Sequence, residues 1–273
     1  MSQPLPLLNQ RYGDLAPQLD LSAGGDVLQL LLRHRSVRSY LPDPLPEGAL
    51  ETIIAAAQSA STSSNLQVWS VVAVRDPGRR DRMAELAGNQ AHVRAAPLFL
   101  VWLADHARLR QIGAEQGKPV EGLDYLEMLL VGVIDAALAA QNAVLALEAL
   151  GLACVYIGGL RNQPELVAAE LGLPKGVFAV FGMCVGYEDL KHPAQVKPRL
   201  PQPAVLHLEQ YSLPAQTPAV AGYDRVMAEF YAGQGMAQPD WSSTVMARVR
   251  SARALSGRDR MTEALRNLGF PLR

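Results

Sequence analysis

An α+β or α/β domain with helices over both faces of its sheet is the fold class that the sequence predicts, on three observations. Four apolar runs of strand length occur: VWSVVAVR at 68–75, LFLVWLA at 98–104, LACVYI at 152–157 and VFAVFGMCV at 177–185. Runs with helical periodicity separate them in mixed order, so helices are available for each side of a sheet. No segment recurs at a fixed period, which excludes a repeat architecture. The elements read as one folding unit with an arm: a leader over 1–23, a core over 24–200 and a C-terminal arm over 201–273.

In chain order, the leader lacks the basic start and apolar centre of a secretion signal, and Pro4 and Pro6 favour a loose conformation. Asp26 is placed to cap a helix running to Arg33, with Val27, Leu28, Leu31 and Leu32 on one side. HRSVRSY follows, and Pro42 and Pro44 forbid a helix beyond it. A second helix opens near Pro46 and carries Leu50, Ile53, Ile54 and Ala57 at i, i+3, i+4 and i+7. After the first strand a short helix spans Arg80 to Ala87, and Pro97 introduces the second strand. Residues 105–122 are polar and without a clear period, a partly helical surface excursion.

The longest helix runs from about Leu123 to Leu150 and ends at Gly151. It is apolar on nearly all sides, so more than its own sheet must bury it, and a subunit interface is a natural place for the excess. Asp135, Gln141, Asn142 and Glu148 interrupt it, so a buried helix is expected rather than a membrane span. Pro164 starts a helix to Leu171 between the third and fourth strands. The arm begins proline-rich, and helical patterns follow over Tyr223 to Tyr231, Ser242 to Arg253 and Arg260 to Leu268.

Composition narrows the function. The chain has 273 residues, 49% of them hydrophobic, and a formal net charge of −1, which argues against disorder and against a nucleic-acid partner. Its two cysteines, Cys154 and Cys184, sit in apolar runs and read as core residues in a reducing, cytoplasmic setting. No GxGxxG follows a strand, no P-loop is complete and no GxSxG elbow exists. The five histidines never fall at metal-ligand spacing.

Four polar islands remain at the ends of apolar elements. His34, Arg35, Ser36 and Arg38 crowd guanidiniums, an imidazole and a hydroxyl at a helix end, a set suited to a phosphate dianion and equally to a solvated basic terminus. Ser61, Thr62, Ser63 and Gln67 offer small hydroxyls and an amide at close range. Tyr156, Gly158, Gly159 and Arg161 follow a buried strand, where paired glycines let backbone N–H groups approach a flat ligand. Lys197 and Arg199 hold two cations at fixed separation on a proline-stiffened backbone. Together they describe a phosphorylated, hydrogen-bonding ring ligand and do not distinguish a flavin from a nucleotide.

The order of HRSVRSYLPDPLP, STSSNLQ, GNQAHV, QNAVLALEALGL, YIGGLRN and VKPRLP resembles that of the oxygen-insensitive, NADPH-dependent nitroreductase and flavin reductase family. The resemblance covers about 28–201; YIGGLRN with VKPRLP is specific within the wider superfamily, whereas HRSxR is shared across it. It implies an α+β fold with a central, mostly antiparallel sheet flanked by helices, an extended C-terminal arm, an intertwined homodimer and one FMN in each of two interface clefts. By motif, His34, Arg35, Ser36 and Arg38 would meet the FMN phosphate and ribityl chain, with Lys197 and Arg199 completing the clamp. Ser61, Thr62, Ser63 and Gln67 would lie along the ring edge and ribityl chain, Gln90 near the pyrimidine ring, and Tyr156, Gly158 and Gly159 against the ring. Arg161 would shape the mouth.

The chain departs from the pattern in three places, one of them the 105–122 excursion, which is longer than in some relatives and could change substrate access. Asn65 stands where a close relative has an aromatic residue, and Gln234 where family members can carry an arginine for the NADPH 2′-phosphate. Arg250 and Arg253 are the replacement candidates, and NADPH against NADH is left open. The implied reaction is ping-pong: hydride from NADPH to FMN, then reduction of a nitroaromatic, quinone or free flavin, with no obligatory acid or base from the protein. The competing readings are an FMN storage or sensor protein with poor turnover, and a reductase of another acceptor on the same fold.

Overall fold

The structure, a computed structural model, describes residues 5–17, 19 and 25–273. Their contacts group the chain into two compact units, Met1–Arg35 with Gln195–Leu255 and Ser36–Ala194 with Ser256–Arg273.

In the second unit four strands, β1 (Trp69–Val74), β2 (Leu98–Asp105), β3 (Ala153–Ile157) and β4 (Val177–Gly186), form one sheet in the order β1-β2-β4-β3. Every pairing is antiparallel. Side chains alternate across a strand. Phe99, Val101 and Leu103 of β2 therefore join a core with α4 (Pro77–Leu86), α5 (Ala91–Ala95) and α8 (Pro164–Leu171). Leu98, Leu100 and Trp102 join another with α3 (Ala49–Gln58) and α7 (Leu126–Ala149). A strand buried on both faces must be apolar throughout, which is why these runs show no polar alternation. Cys154 and Cys184 lie one in each core, unbridged, and burial pushes both thiols up.

Helix α7 presents Ala136, Ala139, Ala140 and Ala143 inward, fully buried, and these small residues allow close packing. Its other side exposes Leu126, Leu130, Ile134 and Leu138, each 44–55% accessible, at four-residue spacing. By length and composition alone α7 would pass for a membrane span, a test that buried core helices also pass. Half of its most apolar window is buried within the chain, and a buried carboxylate, Asp135, sits mid-helix.

Several boundaries also shift. Asp26 lies inside the first turn of α2 (Gly25–Arg33) rather than capping it. Pro46 precedes α3, its carbonyl accepting from the Ala49 N–H, because Gly48 in a left-handed conformation separates the two. The 105–122 excursion contains α6 (Ala107–Glu115), tied down by an Arg110–Asp124 ion pair at 2.8 Å.

The first unit holds α1 (Leu5–Tyr12), α2, α9 (Thr217–Gly233) and α10 (Trp241–Val249); Tyr223, Met227 and Tyr231 of α9 form a buried cluster there, with Trp241 of α10 packed against it. The leader is therefore not loose where it is described: α1 buries Leu8 and Arg11. Residues 1–4, 18 and 20–23 of the leader lie outside the described residues. The arm divides, with 195–255 in the first unit and α11 (Met261–Asn267) in the second.

One buried group makes stability depend on pH. His106 is fully buried, its Nε2–H donating to the Met128 carbonyl at 2.9 Å while Nδ1 has no partner among the described residues. Burial depresses its pKa, and nearby Arg110 acts in the same direction. The folded imidazole therefore stays neutral where the unfolded one takes up a proton, so stability is full above the unfolded pKa and is lost as pH falls. The unfolding free energy from urea titration should decline below about pH 6.5, by at most about 1.4 kcal/mol per pH unit for this proton. His106→Leu should flatten part of that slope; His92, whose pKa burial also lowers, carries another part. An unchanged slope in the variant would contradict the assignment.

Candidate functional site

The first unit draws two cationic stretches together through a residue that the sequence did not single out. Arg11, only 7% exposed, donates from Nη2 to the carbonyls of Leu32 at 2.7 Å and His34 at 2.8 Å, and from Nη1 to that of Lys197 at 3.2 Å. Its own carbonyl accepts the Arg199 N–H at 2.8 Å. One guanidinium thus pins the backbone of the early cluster beside the late KPR segment. The Tyr223 hydroxyl donates to the Pro198 carbonyl at 2.9 Å, and the Lys197 ammonium lies 5.8–5.9 Å from the ring centres of Phe230 and Tyr231. His34, Arg35, Lys197 and Arg199 are thereby carried on segments fixed side by side. Arg250 and Arg253, also in this unit, are exposed just after α10.

In the second unit, Ser36 to Leu41 runs extended. Ser36 bridges Cys154 of β3 in parallel, Val37 N–H donates to the Cys154 carbonyl at 2.9 Å, and Tyr40 bridges Glu188. Ser36 and Arg38 are exposed, on either side of buried Val37.

The Ser61–Gln67 loop is held by the carboxylate of Asp135, which is 1% exposed. The Thr62 hydroxyl donates to Oδ2 at 2.5 Å, Ser63 N–H to Oδ1 at 3.1 Å and Val68 N–H to Oδ2 at 3.3 Å. The Thr62 oxygen also accepts the Gln67 N–H at 3.0 Å. Ser64, Asn65 and Gln67 have φ of +48°, +54° and +50°, the left-handed region. Such non-glycine residues cost on the order of 1 kcal/mol each and persist only where surroundings over-determine them. Ser61, Ser63 and Gln67 are exposed, whereas Thr62 spends its hydroxyl inside the chain. Arg108 of α6 donates to the Gln67 carbonyl at 2.9 Å, joining the surface excursion to the loop. An apolar hollow of about 350 Å³, lined by Leu66, Ile112, Val120 and Met128 among others, opens beside it.

Gln90 meets the Tyr156–Arg161 island. Gln90 Nε2 donates to the Ala87 carbonyl at 2.6 Å, and a Cβ on Gly159 would lie 2.6 Å from that nitrogen and 2.2 Å from the Ala87 oxygen. A side chain at position 159 would collide with the Ala87 carbonyl at the end of α4, so packing alone requires a glycine there. Gly158 faces the Arg161 guanidinium, which donates to the Val180 carbonyl and whose pKa burial lowers. Arg161 thus folds back onto β4 and braces the 3-10 turn Gly158–Asn162. Tyr156 packs edge-on to Phe181 at 5.2 Å, its hydroxyl 3.4 Å from Gln141, and burial raises its pKa. A cleft of about 570 Å³ beneath Pro42–Leu50 is lined by none of the predicted site residues.

The nitroreductase family model matches residues 31–187, and the model for that family's C-terminal domain matches 197–273. The chain belongs to the nitroreductase family. The chain is 39% identical to an NADPH-flavin oxidoreductase of Vibrio harveyi over 226 residues, 82% of this chain and 91% of the other. It is 42% identical to an oxygen-insensitive NADPH nitroreductase of Salmonella typhimurium over 208 residues, 76% of this chain and 83% of the other. A solved Vibrio harveyi NADPH:FMN oxidoreductase, complexed with NAD+, superposes with a TM-score of 0.81 at 36% identity, covering 90% of this chain and 99% of the other. The antiparallel sheet covered by helices is thus the nitroreductase fold, with a C-terminal domain.

Sequence reading missed Arg11 and Asp135. A carboxylate midway along an apolar helix was a usable signal for Asp135, since a buried charge demands donors. Arg11, in a proline-flanked leader, carried none.

Proposed function

We propose that this nitroreductase is an FMN-dependent oxidoreductase that takes electrons from NADPH and reduces flat acceptors: nitroaromatics, quinones or free flavin. The observation that carries the reading is the Arg11 fork, which fixes the His34 and Lys197 backbones side by side in a chain of this family. The relatives named for NADPH, flavin and nitro reduction support the donor and the acceptors. The donor sets fit FMN: cations for a dianionic phosphate, hydroxyls and amides for a polyol and a ring edge. When bound, FMN supplies the two-electron chemistry that no protein side chain here provides.

The chain's residues bind and orient. Lys197, Arg199, His34 and Arg35, with Ser36 and Arg38 next along the chain, neutralise the phosphate. Ser61, Ser63 and Gln67 hold the ribityl chain and ring edge, with Thr62 positioning them. Gln90, Tyr156, Gly158 and Gly159 line the ring, Gln90 keeping its carbonyl oxygen as an acceptor while its amide is bonded to Ala87. Arg161 sets the turn beneath them, and exposed Arg250 and Arg253 meet the NADPH 2′-phosphate. No side chain is required as an acid or base.

The exposed stripe Leu126, Leu130, Ile134 and Leu138 supports a homodimer, since such a row on a buried-core helix calls for a second apolar face. Sedimentation should return twice the 29.5 kDa chain mass.

The deciding experiment is stopped-flow mixing of FMN-loaded protein with NADPH and, separately, NADH. Flavin absorbance should bleach with NADPH and return when a quinone is added. If both nicotinamides leave it unchanged, the reductase reading fails and the protein only binds the cofactor.

A further inference from the structure

We propose that Asp135 is the positioning residue of the ring-binding loop, a clasp that holds Ser61, Ser63 and Gln67 at the spacing the flavin requires. The proposal rests on the reading of those residues as flavin contacts. Helix α7 is apolar almost throughout, and a carboxylate in its buried face is costly unless donors surround it. The donors come from both ends of one loop: the Thr62 hydroxyl and Ser63 N–H at its start, the Val68 N–H at its exit. Thr62 relays the hold inward by accepting the Gln67 N–H. Asp135 therefore closes the loop into a ring and maintains left-handed backbone at Ser64, Asn65 and Gln67, which an unrestrained chain would abandon. The exposed side chains at 61, 63 and 67 project from that ring, so its shape fixes their separation.

The carboxylate itself is required, not its volume. An ionised Asp accepts at two oxygens and donates nothing, whereas Asn turns one of those positions into a donor facing N–H groups or a hydroxyl. Asp135→Asn is thus nearly isosteric yet opens the clasp. Thr62→Val removes the 2.5 Å bond and the relay to Gln67, and Thr62→Ser restores both.

The test uses full-length protein and two readouts. Amide exchange in the flavin-free protein should quicken at least tenfold at Ser63, Gln67 and Val68 in Asp135→Asn, with α7 amides beyond that turn unchanged. FMN affinity, read by quenching of flavin fluorescence, should fall at least tenfold, with a changed absorption envelope for the flavin that still binds. Thr62→Val should move both readouts the same way by less, and Thr62→Ser should behave as wild type. Should Asp135→Asn not fold, the Thr62 pair decides alone. Wild-type exchange in the variants overturns the clasp. Faster exchange with unchanged FMN affinity and spectrum overturns the positioning role. A wild-type chain that takes up no FMN overturns the flavin reading itself, whatever the exchange rates.

Discussion

Arg11→Met is expected to cost about 3 kcal/mol of stability, because bonds from a charged donor contribute about 1.5–3 kcal/mol each and are not additive. Three carbonyls, those of Leu32, His34 and Lys197, lose their shared donor, and the side chain lies in a site only 7% exposed. Methionine replaces the apolar stem without the fork. FMN uptake should fall with it, since the one guanidinium bonds both the His34 and the Lys197 carbonyls. Arg11→Lys should recover only a minor part, as an ammonium cannot reproduce a planar fork reaching three acceptors. Lys197→Ala provides the contrast: FMN should be held less tightly by about 1–3 kcal/mol, with the urea midpoint near that of the wild type. Equal loss of stability in Lys197→Ala and Arg11→Met would remove the distinction between a side chain that grips the phosphate and one that aligns the grip.

The contrast between Arg11 and Lys197 also marks where the sequence was legible. VKPRLP and HRSVRSY announce themselves as local clusters of donors, and the four apolar runs appear as β1 to β4 within a residue or two at each end. Those signals are local: composition over a few positions, or a period. Arg11 acts on carbonyls 21, 23 and 186 positions away, and no property of its neighbours encodes such reach. Asp135 lies between these cases. Its polarity against an apolar helix was visible, but its donors sit on a loop about 70 residues earlier, whose left-handed turns at non-glycine residues defy propensity. The same logic explains α7. Its all-round apolarity was visible in the sequence, and only the structure resolves which residues form the exposed outward row.

The paired glycines test packing against ligand access directly. Gly159→Ala should be among the most damaging small substitutions in the second unit. The added methyl would stand 2.2 Å from the Ala87 carbonyl oxygen, a backbone atom, and 2.6 Å from Gln90 Nε2. Gln90 can swing aside, but Ala87 is 1% exposed at the end of α4, with its N–H bonded to the Met83 carbonyl, so it cannot retreat. The 3-10 turn must move instead, straining Arg161 against β4, and the expected cost is about 3 kcal/mol, the upper end for an overpacked buried site. At Gly158 the nearest atom to an added Cβ is the end of the Arg161 side chain at 3.2 Å. A guanidinium tip yields by a few tenths of an ångström, so Gly158→Ala should cost less than about 1 kcal/mol. Urea midpoints for the two variants decide the matter. If Gly158→Ala is as destabilising as Gly159→Ala, close packing on Ala87 is not what keeps position 159 a glycine. If Gly158→Ala instead folds normally but takes up FMN poorly, the first glycine is small for the ligand and the second for the fold, two separate reasons behind one dipeptide.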